Sequence, residues 1–384
     1  MGEAGEHKNP LVVYIKDLIA ERPQGAIPFR EYMEYCLYHP AFGYYSGSRK
    51  PKIGKTGDFY TSSAVGGIFG AMVGRSLIRL MGNRWSEGPI RIAEWGAGTG
   101  QLALQLLDEL QLSYPDFYER LSYIAVERSG YHAELLMTTL ASHAERVRIM
   151  EPDEWLTIAA QDRTYRTAVI SNELLDAFAV HRIRRGGQVI MELFVGWDEE
   201  KASFCEREIP CDNDDVLAYL AKEGIRLADG QTAEINLDAP RWMKRMAETL
   251  GEGVLMTIDY GDVAEELYAR HRMNGTLVCY KEHRAHDDPY RFTGEQDMTA
   301  HVNFSACIRA GEEAGLTSWK LMTQKQFLLE AGILELLQEH RSTDPFGPEA
   351  RRNRAVRQLL LSDQMSELFK VLIQQKAEGD PGTA

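Results

Sequence analysis

The stretch Ile90-Arg91-Ile92-Ala93-Glu94-Trp95-Gly96-Ala97-Gly98-Thr99-Gly100 decides the reading of this chain. A short apolar run, Ile90 to Ala93, passes through three alternating glycines into Leu102 to Leu110, which has the composition of a helix. A strand that feeds a helix through glycines sets backbone N–H groups and a helix N-terminus beside a ligand. Glycine is needed where the chain turns sharply or approaches that ligand closely. A dinucleotide fingerprint would need a glycine three residues beyond Gly98, where Gln101 stands, and no Lys-Ser/Thr pair ends the loop as in a P-loop. Glu94, just before the first glycine, suits a ligand with a positive group better than a pyrophosphate.

Working outward, further apolar runs follow at Tyr123 to Val126, Val147 to Met150 and Thr167 to Ile170, each separated by helical sequence. Strands alternating with helices predict an α/β fold with a doubly wound parallel sheet. Glu127 ends the second strand, where a carboxylate accepts the two hydroxyls of a ribose. Gly253 to Ile258 reads as another buried strand, ending in Asp259-Tyr260-Gly261, and Trp242 to Leu250 as the helix before it.

The remainder is less regular. Leu11 to Ala20 and Phe29 to Tyr38 have helical spacing, Ala41 to Gly57 reads as an exposed loop, and Ala64 to Met81 is helical despite four glycines. Residues Ile183 to Ile209 alternate like antiparallel strands, broken at Arg185-Gly186-Gly187, and acidic helix-prone sequence follows to about Leu227. The tract Gln326 to Lys376 is read as helical, with the Arg341 to Arg357 cluster on a solvated face, and Ala377 to Ala384 as a frayed tail.

Bulk properties narrow the function. The chain has 384 residues and a formal charge of −14, a balance that disfavours a general nucleic-acid binder and would steer a basic partner inward. Five scattered cysteines with no CxxC pair indicate neither a disulfide framework nor a cysteine zinc site. With a polar N-terminus and no run of about 20 apolar residues, the expectation is a soluble, cytoplasmic protein with no membrane span.

The fourth strand leads into Ser171-Asn172-Glu173-Leu174-Leu175-Asp176. Glu173 and Asp176 are three residues apart, so one helical turn would present both carboxylates on one side, a clamp suited to a planar guanidinium. The alternative for each is an acid favoured by a helix N-terminus. His181 reads more readily as structural than as a site residue. Asp259 fits a site or a strand-end turn equally. His283 to Asp287 has metal-compatible residues but no distant third ligand, so no metal site is expected.

At this point the chain resembles the MidA-type class I methyltransferases, a family that includes a mitochondrial complex I assembly factor acting as a protein arginine methyltransferase. The matching stretches are Tyr32 to Tyr45, Gly57 to Ser62, the Glu94 to Gly100 loop, Ser171 to His181, Thr257 to Gly261 and Gln296 to Phe304. The chain departs from the family pattern at Ser63 to Gly67 and at Ala179. The resemblance implies a Rossmann-like core, an added helical N-terminal portion and S-adenosyl-L-methionine as cofactor. It also implies that Gly57, Asp58 and Phe59 close over that cofactor, joining Glu94, Gly96, Gly98, Gly100, Glu127 and Asn172, with Glu173 and Asp176 on the acceptor side. The expected organisation is an N-terminal helical and lid region over 1–85, a cofactor-binding core over 86–182 and 251–325, an inserted cap over 183–250 and C-terminal helices over 326–384. The leading function is methylation of arginine on a protein substrate, such as a component of a respiratory complex, with a homodimer an admissible assembly. Two alternatives stand beside it: methylation of a small molecule under the cap, and a cofactor-binding assembly factor with little turnover. A nicotinamide dehydrogenase is a distant fourth.

Overall fold

The computed structural model describes residues 9–46, 67–85, 87–162, 164–337, 344, 347–362 and 366–377. The chain forms two compact units. One comprises Met1–Phe59, Leu175–Arg241 and Gly261–Cys307; the other comprises Tyr60–Leu174, Trp242–Tyr260 and Ile308–Ala384.

The second unit is built on seven strands of an eight-stranded sheet, whose eighth, the two-residue strand Val302–Asn303, pairs with the end of Gly253–Asp262. Its strands in chain order are β1 (Ile90–Trp95), β2 (Leu121–Val126), β3 (Val147–Met150), β4 (Arg166–Asn172), β5 (Gly253–Asp262), β6 (Ser318–Thr323) and β7 (Phe369–Lys376). Across the sheet they lie in the order β6-β7-β5-β4-β1-β2-β3. Strands β1 to β5 pair in parallel, and β7 runs antiparallel to both β5 and β6. Helices cover both faces, so β1 is buried along its whole length. That burial explains why the central strands read as continuous apolar runs rather than as alternating patterns.

Helices Phe69–Met81 and Gln101–Ser113 pack together on the sheet, with Met72, Val73, Leu106 and Leu107 inaccessible to solvent. The glycines that weaken the helical reading of Ala64 to Met81 have a packing reason. A Cβ on Gly70 would lie 2.5 Å from the Leu102 carbonyl oxygen, so only glycine lets the two helices approach this closely. Gly70 N–H also donates to Gln105 Oε1 at 2.9 Å. Ala64 to Gly66 lie outside the described residues.

The tract Gln326 to Lys376, read from sequence as helical, departs from that expectation. It contains helices Gln324–Glu330 and Pro348–Leu361, but it ends in strand β7. Val371 and Leu372 are fully buried between β5 and β6. Lysine and glutamine flanking a short apolar run favour helix locally, and the long-range pairing of β7 with Gly253–Tyr260 overrides that preference. Arg351, Arg352, Arg354 and Arg357 are exposed on Pro348–Leu361, the solvated face expected of that cluster.

The first unit holds helices Pro10–Glu21 and Phe29–Tyr38, as their spacing predicts. The alternating region forms strands His181–Gly186, Val189–Asp198 and Ser203–Pro210, joined antiparallel, with Gly187-Gln188 forming the hairpin turn at the expected break. Ala26–Pro28 and Thr232–Ile235 complete this sheet, the latter without a recognised sequence signal. The acidic segment that follows contains the helix Asp214–Lys222. No helix among the described residues is long and apolar enough to cross a membrane.

Candidate active site

In an open parallel sheet, ligands bind beyond the carboxyl ends of the strands at the point where the chain reverses its winding direction. Here the chain winds outward from β1 through β2 to β3, then crosses back to β4 on the other side of β1. The switch therefore lies between β1 and β4. The two segments that leave the sheet there are Glu94 to Gly100 and Ser171 to Glu173.

Gly96, Gly98 and Gly100 have φ of 69°, 55° and 79°. All three lie in the left-handed region, which a side chain resists. The loop is tied to β2: Gly96 N–H donates to the Val126 carbonyl at 2.9 Å, and Gly98 N–H donates to Glu127 Oε2 at 2.9 Å. The other Glu127 oxygen accepts the Ser129 N–H at 2.8 Å. Glu127 thus shapes the glycine loop and sits where a ribose carboxylate was expected. Gly100 begins the helix Gln101–Ser113 with no side-chain cap, leaving its first amides directed at the loop.

Glu94 is 3% exposed, and its Oε2 accepts a hydrogen bond from Tyr123 Oη at 2.6 Å. Burial raises its carboxyl to about 7; the Tyr123 bond opposes that rise and the charge of Glu127 adds to it. Tyr123 escapes sequence reasoning, because its approach to Glu94 depends on the β1–β2 register that sets Ile92 opposite Tyr123.

On the other side of the switch, Asn172 Nδ2 donates to Glu173 Oε1 at 3.2 Å, and Glu173 N–H donates to the Ile258 carbonyl at 2.9 Å. Glu173 has φ 53°, a left-handed conformation for a residue that is not glycine. Residues 173–176 form a bend and a turn, not the helical turn expected from their spacing. The helix N-terminus reading of these acids falls for the same reason. Asp176 is buried in the other unit, its carbonyl accepting the Ala300 N–H at 2.9 Å. Asp259 serves the turn: its Oδ2 accepts the Leu174 N–H at 3.2 Å and its Oδ1 the Tyr260 N–H at 2.9 Å. His181 is buried against Glu192 at 2.7 Å in the first unit's sheet, a structural pair. His283 lies between the hairpin strands Val278–Lys281 and Arg284–His286, and no group of three metal-capable side chains occurs among the described residues. Gly57, Asp58 and Phe59 lie outside the described residues.

Four buried polar atoms near the switch have no hydrogen-bond partner among the described residues: Trp95 Nε1, Ser171 Oγ, Asn172 Oδ1 and Trp242 Nε1. Trp95 and Ser171 are register partners on adjacent strands, and the Trp95 and Trp242 rings meet edge to face at 5.8 Å. Orphaned buried groups of this kind are uncommon and call for an explanation; a polar ligand at the strand ends supplies one. None of Trp95, Ser171 and Trp242 stands out from the sequence. A cavity of about 640 Å³ opens at the opposite, amino-terminal edge of the sheet, beside Arg166 and Lys376. Its cations are already engaged, Arg166 with Glu252 at 3.0 Å and Lys376 with the Ala247 carbonyl at 2.9 Å, so it is not the site.

Comparison with known proteins agrees with this geometry. Residues 72–322 match the family described as "Putative S-adenosyl-L-methionine-dependent methyltransferase". A solved structure from Burkholderia thailandensis, described as a "COG1565 superfamily member and likely methyl transferase" bound to S-adenosyl-homocysteine, is 32% identical with a TM-score of 0.83, covering 96% of this chain and 92% of that one. Among curated relatives, the Drosophila melanogaster protein named "Protein arginine methyltransferase NDUFAF7 homolog, mitochondrial" is 25% identical over 76% of this chain and 68% of its own length. The Homo sapiens protein of that name is 23% identical over 85% and 75%.

These relatives overturn the expectation of a cytoplasmic protein, since they are named as mitochondrial. The scattered cysteines without a CxxC pair and the polar residues of the first segment speak only to thiol chemistry and secretion, which do not separate the two locations. The sheet is the Rossmann-like sheet of class I methyltransferases. The residues present fit S-adenosylmethionine: the left-handed glycine loop admits close backbone approach, and the carboxyl groups of Glu127 and Glu94 stand at the strand ends beside it. From its sheet order, its strand-end site and its relatives, the chain belongs to this family of S-adenosylmethionine-dependent methyltransferases.

Proposed function

We propose that the chain transfers the methyl group of S-adenosylmethionine to an arginine side chain of a protein, with Glu173 orienting the guanidinium. The names of the curated relatives support this acceptor class. The observation within the chain that carries it is Glu173 itself. A non-glycine residue held at φ 53° costs of order 1–3 kcal/mol and persists where the surroundings enforce it, often at functional sites. Its N–H is fixed to the Ile258 carbonyl, which holds the residue at the end of β4, across the switch from Glu127.

The cofactor supplies a methyl group on a sulfonium, and the rest falls to the protein. Methyl transfer needs the nucleophile aligned with and close to the methyl group. A carboxylate matches the planar fork of a guanidinium and fixes which nitrogen faces the methyl. It also receives, directly or through water, the proton that the nitrogen must lose after attack, which the high basicity of the free group would otherwise retain.

Incubation with cofactor labelled in its methyl group, using lysate from cells lacking this protein, tests the reading. Label recovered as methylarginine after hydrolysis of the protein fraction is the expected result. Label confined to small molecules would overturn it in favour of a metabolite acceptor.

A further inference from the structure

We infer that Glu94 carries a proton in the cofactor-free protein and releases it to solvent when the ammonium group of the cofactor binds. The inference rests on S-adenosylmethionine as cofactor and adds a charge-sensing role for one residue of its site.

The argument begins with what surrounds the carboxyl group. Glu94 is on a strand buried along its length, and among the described residues its side chain accepts a hydrogen bond from Tyr123 Oη, a neutral donor. No lysine, arginine or histidine among the described residues forms an ion pair with it. The titratable groups that act on it are both on the β2 side: Tyr123, and Glu127, whose negative charge disfavours a second carboxylate nearby. Its neighbours in register, Ala125 on β2 and Ile170 on β4, are apolar. A carboxylate in such surroundings lacks the compensation that a buried charge needs, so it keeps its proton.

In mildly acidic solution the free protein therefore holds a neutral acid beside the glycine loop, and a share of it persists at neutral pH. An arriving ammonium reverses the balance, because an opposite charge within a few ångströms favours the ionised form. The bookkeeping is simple. Glu94–COOH and the ligand –NH3+ become a carboxylate–ammonium pair, and one proton passes to buffer; no other bond changes. Glu127 cannot take this role with the same effect, since both its oxygens already hold backbone N–H groups of Gly98 and Ser129. The consequence is selectivity: a ligand with the adenosine and thioether parts but no ammonium gains nothing from Glu94.

Calorimetry of S-adenosylhomocysteine binding in phosphate and in Tris, whose ionisation enthalpies differ, counts the protons exchanged. With the free carboxyl raised to about 7, release should approach one proton in mildly acidic buffer and fall away toward zero as pH rises past the carboxyl's own titration. Affinity should then fall by up to about tenfold per pH unit below 7. Glu94→Gln should abolish the release. Tyr123→Phe, which keeps the carboxyl but removes its donor, should shift the release to higher pH. 5′-Methylthioadenosine, which lacks the ammonium, should bind without proton release. Binding of S-adenosylhomocysteine with no proton exchange at pH 6 and 7, or equal release from Glu94→Gln, would overturn the inference and leave the cofactor intact. Failure of S-adenosylhomocysteine to bind at any pH would overturn the cofactor assignment, and this inference with it.

Discussion

Replacing Glu94 by glutamine should make the cofactor-free protein more stable at neutral pH, although it removes a residue of the site. Glutamine keeps an oxygen for the Tyr123 hydroxyl and carries no charge to desolvate. The magnitude follows from the carboxyl being raised from its ordinary 4.5 to about 7 by burial, against the opposing hydrogen bond from Tyr123. In the unfolded chain the group ionises near 4.5, whereas in the folded protein it holds its proton until about 7. Its contribution to stability is thus fully present below pH 4.5 and is lost as pH rises through 7. Each pH unit in that window is worth about 1.4 kcal/mol, so the total loss is of order 3 kcal/mol. Between pH 5 and pH 8, Glu94→Gln should gain about 2–3 kcal/mol on the wild type, because the variant lacks this titration. Urea unfolding at a series of pH values, followed by tryptophan fluorescence without cofactor, reads the difference. A gap independent of pH, or one that narrows as pH rises, would refute the reasoning.

Three further substitutions probe the rest of the core unit. Gly100→Ala should cost about 1–2 kcal/mol from its left-handed φ of 79° and lower S-adenosylhomocysteine affinity in calorimetry, because the new Cβ would lie 2.8 Å from Leu136 Cδ2. Glu127→Ala leaves the Gly98 and Ser129 N–H groups without their acceptor; a stability loss of about 2–3 kcal/mol in denaturant is expected, with weakened cofactor binding. Leu372→Ala, at a fully buried position of β7, should destabilise by about 2–5 kcal/mol in the same assay. A value near zero would contradict the placement of the C-terminal segment inside the sheet.

What the sequence makes legible follows the range of the interactions involved. The run Ile90 to Gly100 is readable because its information is local: apolar residues, then glycines whose left-handed backbone only glycine takes readily. Val147 to Met150 is readable for the same reason, and the strand has those bounds. Strand β7 is not, since Phe369 to Lys376 owes its conformation to partners more than one hundred residues earlier. Ser318–Thr323 is masked further by its exposed first half. At the site, Glu94 and Glu127 could be named from their positions at strand ends, but Tyr123, Trp95 and Trp242 required the sheet register and the packing of Asp238–Thr249. The three-residue spacing of Glu173 and Asp176 suggested a helix that does not form, because the chain leaves β4 through a left-handed residue. Both units are assembled from three separate segments, an arrangement that composition along the chain does not reveal.

The most direct measurement compares the wild type with Glu173→Gln in a single-turnover reaction with methyl-labelled cofactor and an arginine-bearing protein acceptor, alongside S-adenosylhomocysteine affinity. Glutamine is nearly isosteric and leaves the cofactor loop intact, so affinity should change less than about threefold. Loss of a charge-assisted pair that orients the reacting group should slow methylarginine formation by about 100-fold or more. Equal rates for the two proteins at equal cofactor affinity would contradict the assignment of the guanidinium to Glu173.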